Sequence, residues 1–81
     1  MPCINSDGTL TEAAVTLMSV MVEHHSLEEV ASITDIPLYL VRATARDLID
    51  TRLATEQDGA YRITKLGSEK LAYTLAKLNA G

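Results

Sequence analysis

The chain has 81 residues, with seven Lys and Arg against eleven Asp and Glu, one cysteine, and no Trp or Phe. That length closes one small hydrophobic core and leaves nothing for a second lobe, which disfavours an enzyme with a deep interdomain cleft. Cys3 alone excludes an internal disulfide and cannot by itself build a thiolate metal centre, no apolar run reaches the roughly 20 residues of a membrane span, and Met1–Asp7 lacks the basic and apolar regions of a secretory signal, so a cytoplasmic protein with no membrane partner is expected.

Residues 1–8 read as a flexible lead-in closing on the Asp7-Gly8 turn signal, with Cys3 as a free thiol in a mobile terminus, and residues 9–81 as the single domain. Thr9-Leu10-Thr11-Glu12 has the form of a capping box, in which the Thr9 hydroxyl accepts from a first-turn amide. A helix is predicted from there to His24-His25. Its apolar positions, Leu10, Ala13, Ala14, Leu17, Met18, Val20, Met21 and Val22, follow helical spacing with a wide buried face. Ser26-Leu27-Glu28-Glu29 is a second capping box and opens a short helix with Leu27, Val30, Ala31 and Ile33 inward. It must stop at Asp35-Ile36-Pro37, because the residue before a proline is pushed out of the helical region.

Pro37 suits the first turn of a third helix, where its missing N–H costs nothing. That helix runs to Asp50, with Leu40, Val41, Ala45, Leu48 and Ile49 available for burial. Leu53–Glu56 and Ala60–Ile63 are two strand candidates joined through Gln57-Asp58-Gly59, where Gly supplies the positive φ of a hairpin turn. Thr64 caps a last helix, predicted to bury Leu71, Leu75 and Leu78 with Ala72 and Ala76 and to end at Asn79-Ala80-Gly81. The fold class is therefore mainly α with a small β-hairpin.

Charge is divided along this order. Asp7, Glu12, Glu23, Glu28, Glu29 and Asp35 make the first half acidic with no base at all, while Arg42, Arg46, Arg52, Arg62, Lys65, Lys70 and Lys77 all follow Leu40. An acidic total argues against indiscriminate polyanion binding, yet this asymmetry leaves room for one locally positive surface.

Other candidate constellations are weaker. His24 and His25 are adjacent, so on a helix they point about 100° apart, and neither a His one turn away nor a nearby Cys completes a metal site. Exposed histidines at a helix end are expected, and no metal or cofactor. Met18, Met21 and Val22 could receive a small apolar ligand, but methionine in a central helix normally fills gaps in the core. No nucleophile–base pair, phosphate-cradling glycine loop or carboxylate pair stands at catalytic spacing, so no enzymatic activity is expected.

Ser26–Ala31, Asp35-Ile36-Pro37, Val41-Arg42, Leu48-Ile49, Leu53, and Tyr61-Arg62-Ile63-Thr64 with Gly67 resemble the winged helix-turn-helix superfamily, in particular MarR-like and IclR-like transcriptional regulators. The resemblance covers Ser26 to Leu71. It implies a sequence-specific DNA-binding regulator in which the third helix, 37–50, enters the major groove and the hairpin, 53–63, is the wing. By the same resemblance the outer face of the third helix is Leu38, Tyr39, Arg42, Ala43 and Arg46. Tyr39 and Arg42 would contact base edges, and Arg46, Arg52, Arg62 and Lys65 phosphates of double-stranded DNA. Asp35 and Arg52 stand where many members have glycine, and Glu56 and Asp58 make the wing tip acidic. So few basic contacts imply weak binding by a monomer, and a homodimer would double them. The alternative is a protein-interaction module or accessory subunit with little DNA binding, docking a protein partner through Leu38, Tyr39 and Leu40.

Overall fold

The computed structural model describes residues 3–80; the expectations placed on Met1, Pro2 and Gly81 lie outside the described residues. Four helices, α1 (Glu12–Met21), α2 (Leu27–Thr34), α3 (Leu38–Asp50) and α4 (Lys65–Ala80), enclose a core beside an antiparallel hairpin of β1 (Ala54–Gln57) and β2 (Ala60–Ile63). The radius of gyration, 11.7 Å, is what size scaling gives for one packed unit of this length, about 12 Å.

The lead-in differs from expectation. The Asn5 amide donates to the Thr9 carbonyl at 2.7 Å, the Thr11 amide donates to the Cys3 carbonyl at 2.9 Å, and Ile4 bridges to Leu10. Both the amide and the hydroxyl of Thr9 donate to Asp7 Oδ1, at 3.0 and 2.6 Å, so Thr9 serves the turn instead of capping a helix. Capping passes to Thr11, whose hydroxyl accepts from the Ala14 amide at 3.4 Å, and α1 starts two residues later than the Thr9 box implies. This folded turn carries Cys3 and Leu10 into the core, and the Leu10 amide donates to the buried Thr74 hydroxyl of α4 at 3.0 Å.

Helix α1 buries Ala14, Leu17, Met18 and Met21 as its spacing requires, but it stops at Met21 instead of His24-His25, and Val22 is exposed. The helix ends there and His25 bonds to β2 instead: the Tyr61 amide donates to its carbonyl at 2.9 Å, and its Nδ1 donates to the Tyr61 carbonyl at 2.9 Å. His25 thus pairs with β2 as a strand residue would, with a ring nitrogen in place of an amide.

Ser26 caps α2 by accepting from the Glu29 amide, and Asp35 ends the helix in the left-handed region at φ 60°. Ile33, expected inward, is exposed, while Leu27 and Val30 carry the burial. Pro37 turns out to be the N-cap of α3, one position before the first turn, and its carbonyl accepts from Leu40 and Val41. The buried face of α3 is Val41, Thr44, Ala45 and Leu48.

At its other end, the Arg52 amide donates to Ile49 and the Leu53 amide to Leu48, at 3.0 and 2.8 Å, with Arg52 left-handed at φ 66°. This paired pattern is a Schellman cap, closed by contact-prone apolar residues Leu48 and Leu53. Asp58 (φ 53°) and Gly59 (φ 82°) then make the mirror-type turn whose twist suits a two-residue hairpin, in register Ala54–Ile63, Thr55–Arg62, Glu56–Tyr61 and Gln57–Ala60.

The Thr64 hydroxyl caps α4 by accepting from the Gly67 amide at 3.0 Å and itself donates to the Arg52 carbonyl at 2.7 Å. Gly67 passes so close to the root of the hairpin that an added Cβ would run into the Leu53 carbonyl oxygen. That approach sets the rotation of α4: its inward stripe is Gly67, Leu71 and Thr74, and the predicted Leu75 and Leu78 are exposed, Leu78 at 68%. Leu66 and Tyr73 are exposed as well.

Cys3 is buried and its thiol donates to the Thr44 carbonyl at 3.6 Å. Burial first, and the nearby Asp47 charge second, push its pKa up from 9.0 to about 11. The folded state therefore holds the thiol proton more tightly than the unfolded chain. Its contribution is fully present below about pH 9 and is lost as pH rises through 11. Urea midpoints measured from pH 8 to 11 should fall in the wild type and fall less in Cys3→Ala. Gly67→Ala should destabilise by about 1–3 kcal/mol in urea unfolding despite the better helix propensity of Ala, because the Cβ has no space; an unchanged midpoint would contradict the close approach.

Candidate nucleic-acid interface

On α3 the residues of interest fall opposite the buried face. Tyr39, Arg42, Ala43 and Arg46 span about 100° of the helix circumference, and Tyr39 and Arg46 lie about 10 Å apart along the axis. Tyr39 is 70% exposed, Arg42 and Arg46 are exposed, and Ala43 is half-buried at the edge of the stripe. Asp50 falls on the same stripe one turn below Arg46. Arg52 is exposed at the left-handed exit of α3, Arg62 is exposed on β2 opposite Thr55, and Lys65 is exposed as the first residue of α4.

Among the described residues no carboxylate lies within 4.0 Å of any of these five cations; the ion-pair contact present is His24 Nδ1 to Glu29 Oε2, at 3.6 Å. The other two lysines are engaged by the body. Lys70 Nζ donates to the Gly8 carbonyl at 2.9 Å, and Lys70 and Lys77 lie 5.9 and 5.2 Å from the Tyr73 ring centroid. The basic residues thus divide into two α4 lysines, Lys70 and Lys77, that contact the Gly8 carbonyl or the Tyr73 ring and five cations with no carboxylate within 4.0 Å among the described residues, on α3, its exit, the hairpin and the start of α4.

The acids nearby are partly occupied. Glu56 Oε2 accepts from the Gly59 amide at 2.9 Å and so stabilises the hairpin turn. Hydrogen bonds from its own backbone amide and from Ser26 hold Glu28 below the ordinary carboxylate range, with a smaller pull from Arg42. Asp58 is exposed at the hairpin tip.

The Leu38-Tyr39-Leu40 patch is smaller than its sequence suggests. Leu38 is half-buried and packs against the core, Leu40 is half-buried, and Tyr39 alone projects. Helix α4 exposes more large apolar side chains, Leu66, Tyr73, Leu75 and Leu78, and Ile4, Val22 and Ile33 are exposed elsewhere. No group of three His, Cys, Asp or Glu among the described residues could hold a metal ion, and no helix among them is long and apolar enough to cross a membrane.

Two residues outside the sequence candidates border this region. Tyr61 is half-buried and shares a depression of about 180 Å³ with Arg42, Arg46 and Ile49; His25 holds the backbone of Tyr61 from the other side. The alternation Ala60-Tyr61-Arg62-Ile63 could have placed Tyr61 on the strand face opposite Arg62. Nothing in the sequence pairs His25 with it. No family model, characterised protein or solved structure matches the chain.

Arg52 occupies a backbone region that costs a residue with a Cβ about 1 kcal/mol. Arg52→Gly should therefore raise stability by about 0.5–1 kcal/mol in urea unfolding while removing one exposed cation from the exit of α3; a destabilised variant would show that the Arg52 side chain supports the fold.

Proposed function

We propose that the chain is a winged helix-turn-helix domain that binds double-stranded DNA as a transcriptional regulator, with α3 as recognition helix and the β1–β2 hairpin as wing. One observation carries the reading: the five cations with no carboxylate within 4.0 Å among the described residues are those of α3, its exit, the hairpin and the start of α4, whereas Lys70 is bonded to the Gly8 carbonyl and Lys77 lies over the Tyr73 ring. The left-handed backbone at Asp35 and Arg52 supports it, since both replace glycines of the superfamily pattern while keeping the conformation that glycine favours.

In this reading Tyr39 and Arg42 reach base edges across the floor of the major groove, with Ala43 allowing close approach of the helix. Arg46, Arg52, Arg62 and Lys65 address phosphates and set the register of the domain. The protein works in the cytoplasm. Weak monomeric binding is overcome by a homodimer, and α4 is the pairing element. The apolar face of α1 is consumed by the core, while Leu75 and Leu78 of α4 are exposed and Leu78 lines a cleft of about 530 Å³ together with Leu10 and Val15.

A second reading, a protein-interaction module or accessory subunit on the same fold, is favoured by Tyr39 and by Asp50 and Asp58, which place negative charge beside the same surface. Salt separates the two. Each neutralised phosphate contributes about 0.9 to the slope of log affinity against log salt, so four contacts give a slope of about −3 to −4 per monomer. Anisotropy of a labelled duplex should follow that slope, and the Arg42→Ala/Arg46→Ala double variant should lower it by about one to two units. Absence of binding even at low salt would remove the DNA reading and leave the interaction module.

A further inference from the structure

We infer that Arg42, Arg46 and Tyr61 form a subsite for a single phosphate group in the depression between α3 and β2; that this phosphate belongs to a DNA backbone rests on the reading above. The depression measures about 180 Å³. It exceeds the roughly 30 Å³ share of one water and falls below the 300–1,000 Å³ of a pocket for a whole small molecule, so its occupant is a functional group.

Its chemistry is one-sided. The lining residues are two arginines, a tyrosine and Ile49, with no carboxylate among them. Guanidinium groups only donate hydrogen bonds, and a phenol can donate its one proton. Among the described residues neither arginine has a carboxylate within 4.0 Å, and the attraction that Arg42 exerts on Glu28 of α2 acts over a longer distance. Two arginines and a tyrosine lining one small space match an oxyanion with several acceptor oxygens, and Ile49 supplies an apolar wall that weakens competition from water.

The backbone positions of the three residues are fixed before any ligand arrives. Arg42 and Arg46 stand one turn apart on the 13-residue α3. Tyr61 is fixed by the hairpin register opposite Glu56 and by both bonds to His25. Glu56, the one acid facing Tyr61 across the ladder, has its carboxylate drawn to the Gly59 amide. Arg46 and Tyr61 hold the phosphate, and Arg42 borders it with enough donors left to reach the neighbouring base edge. Tyr61 thereby becomes a binding residue, and His25 a positioning residue that acts through it.

A double-mutant cycle tests this. Arg46→Gln removes the charge at an exposed position and Tyr61→Phe keeps the ring of a packed side chain, and unfolding midpoints check that both variants fold. In duplex titrations Arg46→Gln should remove about 0.9 of the salt slope. Tyr61→Phe should weaken binding about 3- to 10-fold with the slope unchanged. The pair should lose less than the product of the two, because both groups serve one phosphate. Additive losses, or no loss in Tyr61→Phe, would overturn the subsite and leave the DNA reading standing. Titration of the free protein with inorganic phosphate gives the other arm: NMR signals of the Tyr61 ring and the Arg46 side chain should shift in the wild type and not in Arg46→Gln. Those shifts without duplex binding at low salt would support the subsite and overturn the DNA reading, and absence of the shifts would overturn the subsite.

Discussion

Three elements converge on two residues, Arg52 and Leu53, and the placement of everything after α3 depends on that elbow. The Leu53 amide closes the cap of α3 through Leu48, and its carbonyl accepts from the Thr64 amide at 3.0 Å at the mouth of α4. The same carbonyl forbids a side chain at Gly67. Arg52 is driven left-handed by the cap, and its own carbonyl is taken by the Thr64 hydroxyl. One residue is thus strained so that the exit of a helix, the root of a hairpin and the start of another helix share a single network of backbone bonds. Two capping bonds, each worth about 1 kcal/mol, offset the left-handed arginine.

A second tie, from His25 to Tyr61, holds the outer half of the hairpin to the junction of α1 and α2. With both in place the hairpin cannot pivot about its root, and the flank of α3 that carries Arg42, Arg46 and Ile49 acquires an aromatic wall. The charge distribution follows the same architecture. The base-free first half of the sequence supplies α1, α2 and the N-terminal turn, and the second half supplies α3, the elbow, the hairpin and α4. Where a lysine of α4 meets that first half it is engaged, as Lys70 is by the Gly8 carbonyl. Cations farther from it are left facing solvent. The overall charge of −4 therefore describes the molecule poorly as a binding object, since six of the eleven acids lie in the base-free first half and all seven bases lie in the second, where they share α3, the hairpin and α4 with the other five acids.

Much of this was legible in the sequence, for reasons that are local. Asp58-Gly59 specifies its own turn, Ser26 and Thr64 find their capping amides within three residues, and Asp35-Ile36-Pro37 stops a helix by sterics alone. The misreadings share a different cause, which is competition from distant partners. Thr9 was expected to cap α1, but Asp7 and Asn5 claim it for a turn that buries Cys3. The His24-His25 end of α1 gives way to pairing with a residue 36 positions later. The leucines of α4 have helical spacing on either of two faces, and only the Gly67 approach to Leu53 selects which one is buried. Among the candidate site residues, Tyr39, Arg42 and Arg46 follow from helix geometry once Val41 and Leu48 are inside. Tyr61 required knowledge of where β2 packs, and Leu38 lost its exposure to the core.

The claim that α3 and the hairpin form the DNA-binding surface is tested most directly by mapping amide chemical-shift changes when an unlabelled duplex is added to the labelled protein at low salt. The expected changes concentrate on Tyr39 to Arg46, Arg52, Tyr61, Arg62 and Lys65, and leave the exposed stretch of α4 from Tyr73 to Leu78 unmoved except for effects of dimerisation present without DNA. Changes confined to α4, or none along α3, would contradict it.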